Sequence, residues 1–338
     1  MMVQAALLLV AAIVEPSRFI AEDRTVAAID ERPIRFYIDR PASEEPLPIL
    51  LVIDGSGCVG QRRPSTWQAY DPAFYRDYAY ARLMVEKPGV EPDAADLSAE
   101  CSETFKRHYD IDARVTDHLR VLQHLRAADW WNGEVMVWGW SDGGDIGARL
   151  ITYRPETTRA VLGAMGGGLT MAEHFERFWA CPERPSVRTP EQTTEQATER
   201  MGGREACLDD LRGDFARIED NPTWRETWSG HDNTYKVWNT RLRARLSAPL
   251  SDNRVPLLIV HGALDTENTP VESARVLVAD LARAGNAAFT YWEVPGMEHG
   301  WNALEDDRKS ALVTGMLDWL MTGDVDPVKR ALVLNPAD

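Results

Sequence analysis

The stretch that decides the fold is Val137-Trp138-Gly139-Trp140-Ser141-Asp142-Gly143-Gly144. An apolar run ends there in G-x-S-x-G and passes directly into a segment of helical period, residues 145–153. A strand, a tight turn and a helix in that order form a nucleophile elbow: Gly139 and Gly143 permit the strained turn around Trp140 and Ser141, and the serine oxygen projects clear of the sheet. Asp142 and Asp145 fall in the first helical turn, where the helix dipole favours negative charge. The competing reading is a Gly-rich turn with an inert serine.

Outward from the elbow the same rhythm continues. Ile49-Leu50-Leu51-Val52-Ile53 is a continuous apolar run without alternation, the pattern of a strand covered on both faces of a parallel sheet. Residues 81–85, 135–138, 160–164, 256–260 and 288–294 read as further inner strands. Helical period over residues 114–125 and 271–281, and a last helix over about 307–321, lie between or after them. Alternating strand and helix implies right-handed crossovers, so the expected class is α/β, with a mostly parallel doubly wound sheet. Residues 25–30 and 34–38, separated by Glu31, Arg32 and Pro33, read as a hairpin. Residues 171–252 break the rhythm: no strand-like run appears, and Trp179, Trp224, Trp228 and Trp238 fall there, four of the chain's twelve tryptophans. We read this segment as a helical cap inserted into a core of residues 21–170 and 253–338, lying over the carboxyl edge of the strands. The alternative is a peripheral subdomain whose tryptophans fill its own small core. Residues 189–199, rich in Thr and Glu, read as a short loop.

A serine needs a base and an orienting acid to act as a nucleophile near neutral pH. Leu257-Leu258-Ile259-Val260-His261-Gly262-Ala263-Leu264-Asp265 is a strand and short turn ending in a carboxylate, and Val294-Pro295-Gly296-Met297-Glu298-His299-Gly300-Trp301 sets a histidine in the loop after the next strand. The order Ser, Asp, His is the one such a sheet uses. Residues 25–171 and 252–322 thus resemble the α/β-hydrolase superfamily, and HGALD with GMEHGW is most similar to its dienelactone-hydrolase and prolyl-oligopeptidase branches. The resemblance implies Ser141 as nucleophile, Asp265 as acid and His299 as general base, with no metal or organic cofactor. Where relatives carry D-x-x-V-P, this chain reads Asp265-Thr266-Glu267-Asn268-Thr269-Pro270, one residue longer, which leaves Glu267 as a competing acid. Glu298 is read as facing solvent or backbone. His261 is read as a structural strand-end residue, and His108, His118, His124, His174 and His231 as having no chemical role.

A tetrahedral intermediate also needs backbone donors for its oxyanion. Asp142 supplies one N–H, and the loop Asp54-Gly55-Ser56-Gly57-Cys58 should supply the other, from Ser56 or, second, Gly57. That loop lacks G-K-[ST], which disfavours a phosphate cradle of the P-loop kind.

The composition narrows the partners. In 338 residues, 44% hydrophobic and 27% charged is a globular balance. Lys plus Arg 37 against Asp plus Glu 53 gives a net charge of -16, which argues against nucleic acid or an anionic membrane. A small-molecule ester is the expected substrate, with a short peptide or amide as the alternative. The latter needs a carboxylate to capture an amine, for which Glu86, Asp93 or an acid of the cap are the candidates. A non-catalytic binder on the same fold and an interfacial lipase are further readings. Residues 5–14, AALLLVAAIV, are too short to span a bilayer and suit the core of a secretory signal within a leader of about residues 1–20, or else a buried strand or helical turn. No later segment reaches membrane-spanning length. Cys58, Cys101, Cys181 and Cys207 show no CxxC or zinc spacing, so they read as Cys58 with Cys101 and Cys181 with Cys207, or as four free thiols. Secretion or a periplasmic location follows from the leader and disulfides, a cytoplasmic one from their absence. Oligomeric state is not legible.

Overall fold

The architecture is that of a computed structural model describing residues 19–63, 79–95, 100–154, 156–181, 203–228, 233–266 and 268–334. The proposed leader, the loop over 189–199, Glu267 and His231 lie outside the described residues. An eight-stranded sheet carries the strands β1 (Phe19–Ala27), β2 (Pro33–Pro41), β3 (Leu47–Ile53), β4 (Ala81–Val85), β5 (Trp131–Trp140), β6 (Arg159–Gly163), β7 (Leu257–Gly262) and β8 (Phe289–Val294). Their spatial order is β1-β2-β4-β3-β5-β6-β7-β8; β2 runs antiparallel to both its neighbours, β1 and β4, and every other neighbouring pair is parallel.

The unbroken apolar runs have the reason expected of them: alternate residues serve opposite covered faces. Ile49, Leu51 and Ile53 of β3 and Val135 and Val137 of β5 point to one core; Leu50, Met136 and Trp138 point to the other. Helices α2 (Ile111–Leu125), α3 (Asp142–Tyr153) and α8 (Val271–Arg283) cover the first face through Val115, Leu122, Ile146, Leu150 and Leu277. The second lies under α9 (Asp306–Thr322), through Leu312, Met316 and Leu320, and under α10 (Pro327–Leu334). Asp110 caps α2, its side chain accepting from the Ala113 N–H at 2.7 Å.

The first hairpin differs from the expectation. Its first strand begins at Phe19 and ends at Ala27, so residues 28–30 belong to the turn, where Ala28 N–H donates to Arg32 O and Glu31 takes a positive φ of 65°. Charged residues of this edge strand mask its alternation in the sequence.

Between β6 and β7 the described residues form helices and no named strand: α4 (Met171–His174), a π-helical turn (Phe175–Trp179), α5 (Arg204–Asp220), α6 (Tyr235–Asn239) and α7 (Ser247–Ser251). Phe175 is ringed by Trp179, Trp228 and Trp238 at 4.8, 4.8 and 5.3 Å. Three of the four tryptophans therefore fill a core of the segment's own, while Trp224 is 42% exposed. Disulfides join Cys58 to Cys101 and Cys181 to Cys207, with Cα atoms 5.6 and 6.0 Å apart. The first ties the loop after β3 to the start of α1 (Glu103–His108), and the second ties the end of the π-helical turn to α5. No described helix is long and apolar enough to cross a membrane.

Candidate active site

Ser141 sits between β5 and α3 with φ 57° and ψ −123°, a strained conformation for a residue bearing a side chain. The flanking glycines are there because backbone approaches too closely for any other residue. A Cβ on Gly139 would fall 2.1 Å from Gly143 O, and one on Gly143 would fall 2.0 Å from Ile53 O. Ser141 N–H donates to Gly163 O at 2.8 Å, which anchors the turn to β6.

Asp265 follows β7 and His299 follows β8, so all three side chains emerge at the carboxyl edge of the sheet. His299 Nδ1 lies 2.7 Å from Asp265 Oδ2, and its Nε2 lies 2.9 Å from Ser141 Oγ. With Nδ1 donating to the carboxylate, Nε2 is left to accept the serine proton. Asp265 is 2% exposed, and its other oxygen accepts from the N–H groups of Asn268 and Thr269 at 3.3 and 3.1 Å. Asn268 and Thr269 thus close back on the carboxylate.

Two neighbours hold this geometry. His261 is buried, and burial lowers its pKa; its Nε2–H donates to Thr269 O at 2.8 Å and so braces the acid loop. Its partner in the H-G pair, Gly262, lets the histidine loop approach, because a Cβ there would meet Glu298 O at 2.1 Å. Trp140 has a role that spacing does not disclose: its indole N–H donates to His299 O at 2.9 Å, and its ring meets Trp301 edge-on at 4.6 Å.

On the anion side, Asp142 is 4% exposed, and its carboxylate pairs with Arg241, just beyond α6, at 2.8 Å. Arg241 thereby reaches the residue after Ser141. In the loop after β3, Gly55 lies against Ser141, a Cβ there being 3.3 Å from Ser141 Cβ. Ser56 and Gly57, the expected donors, are the next two residues, and their carbonyls both accept from Lys87 Nζ, at 3.3 and 2.8 Å. Burial works against charge on Asp54, but Lys87 at 3.9 Å and Arg63 at 2.8 Å outweigh it and hold the carboxyl below its ordinary range. Of the remaining histidines, His108 faces Asp30, His118 donates to Arg114 O from inside α2, His124 meets Phe36 edge-on, and His174 packs on Trp179.

No family model matches the sequence, and no curated protein matches it. Among solved structures, the chain is similar to Est1E from Butyrivibrio proteoclasticus with ferulic acid bound, at TM-score 0.58 and 14% identity over 89% of this chain and 98% of that one. It is similar to a Klebsiella pneumoniae protein assigned as a dienelactone hydrolase, at 0.54 and 14% over 90% and 99%. A puromycin-hydrolysing peptidase of Mycobacterium tuberculosis matches at 0.56 and 16% over 89% of this chain and 39% of its own. The chain spans 37 to 39% of the peptidase chains it resembles. These likenesses show the α/β-hydrolase fold.

Proposed function

We propose that the chain is a serine hydrolase that cleaves a carboxylic ester of a small or medium-sized neutral substrate through an acyl-enzyme. The observation that carries this reading is the unbroken series of hydrogen bonds from Asp265 through His299 to Ser141. His299 takes the serine proton as Oγ attacks the carbonyl, and Asp265 orients the imidazole and stabilises its cationic form. The Asp142 N–H and a donor of the loop at residues 55–57 hold the oxyanion. His299 then returns the proton to the leaving alcohol, and water releases the acyl group by the same route.

An ester is favoured over a peptide by what Glu86 is already doing. A free amine would need an available carboxylate, whereas Glu86 is buried and accepts from Tyr37 Oη–H and from the N–H groups of Gln61 and Lys87. The match over nearly the full length of Est1E supports the same choice. Residues 171–252 act as the cap, a role supported by the ion pair of Arg241 with Asp142. Two disulfides support an oxidising compartment, secreted or periplasmic. A panel of p-nitrophenyl esters of graded acyl length, run beside aminoacyl p-nitroanilides, tests the choice of bond. Turnover of the esters is the expected result; faster turnover of the anilides would reverse it.

A further inference from the structure

Lys87 is a charged side chain buried to 3% exposure with no place in the mechanism above. It follows β4, where the chain is clamped: Arg114 of α2 donates to Val85 O at 2.8 Å and to Glu86 O at 2.7 Å. From that fixed base the ammonium reaches the loop beside the nucleophile and donates to the carbonyls of Ser56 and Gly57. The next residue, Cys58, is tied through its disulfide to Cys101. Two consecutive carbonyls converging on one buried cation is an arrangement with a consequence for the peptide planes. A trans peptide points its C=O and N–H in opposite directions, so drawing these carbonyls to Lys87 turns the N–H groups of Gly57 and Cys58 away from it. Gly57 has φ 80°, and a glycine flips its peptide at little cost, exchanging a donor for a carbonyl that would repel an oxyanion.

We propose that Lys87 is a positioning residue for the oxyanion loop, gripping the Ser56 and Gly57 carbonyls so that the loop beside Ser141 presents donors to the tetrahedral intermediate. This deepens the proposed hydrolase function and rests on it. The grip depends on charge, because a bond from an ammonium is roughly twice as strong as a neutral one. Burial lowers the pKa of Lys87 to about 8, opposed by Asp54; Arg114 and Arg63 push it further down, and Asp142 opposes. The cation is therefore present at neutral pH and is lost as pH rises through about 8.

The test is ester hydrolysis between pH 6 and 10 for the wild type, Lys87→Met and Lys87→Arg, with thermal unfolding to confirm folded protein and fluorophosphonate labelling to report on Ser141. Expected for Lys87→Met is a fall in kcat of about 10- to 100-fold with KM nearly unchanged, a loss typical of a misplaced oxyanion donor. The wild type should show kcat declining above about pH 8, a limb absent from Lys87→Met and moved out of range in Lys87→Arg, which should recover most of the activity. A folded Lys87→Met with wild-type kcat and pH profile overturns the proposal. Should that variant not fold, a wild-type kcat flat from pH 7 to 10 overturns it. A wild type that neither turns over esters nor labels at Ser141 removes the proposal together with the function it rests on.

Discussion

At the scale of single residues, Ser141 is the proposed nucleophile, and what lies behind it would set its reactivity. Asp265 is fixed by two backbone donors on one oxygen and uses the other on His299 Nδ1. Asp265→Asn keeps the shape but favours the wrong imidazole tautomer, and we expect kcat to fall by about 10³- to 10⁴-fold in a steady-state ester assay. An unchanged rate would show that another carboxylate serves His299. Trp140→Phe removes the indole N–H that holds His299 O and shrinks the ring that packs on Trp301, and a fall in kcat of about 10-fold with little change in KM is expected from a loosened base. A loss seen only in KM would contradict that role. Ser141, Asp265 and His299 were legible because each follows an apolar strand in a short segment that carries its own punctuation. Lys87, Arg241 and the indole of Trp140 were not, because each acts on a partner tens of residues or more away and leaves no local pattern.

Elements explain why those residues meet. The elbow exists because the turn at Gly143 packs against the end of β3, with no room for a Cβ beside Ile53 O. Gly143→Ala should therefore cost about 3 kcal/mol or more in urea unfolding, since backbone on both sides cannot yield. A wild-type midpoint would mean that the turn is looser than described. The covered strands could be read from unbroken runs such as Ile49 to Ile53, because two apolar faces leave no polar alternation. The edge strand β1 was misplaced by several residues because charges at Glu22, Asp23 and Arg24 resemble a loop. In residues 171–252 the tryptophans were visible but their partners were not: Phe175 gathers three of them into a local core. That core is stapled by Cys181–Cys207 across 26 positions, and opening such a loop costs about 3 kcal/mol. Cys207→Ser should lower the thermal stability of this segment ahead of the sheet, detectable as faster local hydrogen exchange in α5. Equal exchange in both proteins would show that the aromatic core suffices.

Across the whole molecule, a mostly parallel sheet delivers three loops to one edge, and the buried histidines make its stability depend on pH. Burial, helped by the charge on Arg114, pushes His118 down to about 3; burial, helped by Arg241, pushes His174 down to about 4. Both lie below the ordinary value near 6.5, so the unfolded chain takes up protons that the folded chain refuses. Their stabilising contribution is complete above about pH 6.5 and is lost as pH falls toward those lower values. Glu86 and Asp117, raised by burial, act in the opposite sense, so the histidine effect is best read by difference. The melting temperature of the wild type should fall more steeply than that of His118→Leu between pH 6.5 and 4; parallel curves would contradict the assignment.

In the proposed mechanism Ser141 is the nucleophile and His299 activates it. Treating the folded protein with a fluorophosphonate at neutral pH and locating the adduct by peptide mass spectrometry tests it most directly. One phosphonyl group on Ser141, absent from Ser141→Ala and formed far more slowly in His299→Ala, is the predicted result. A folded protein that takes up no label, or takes it up at another serine, would contradict it.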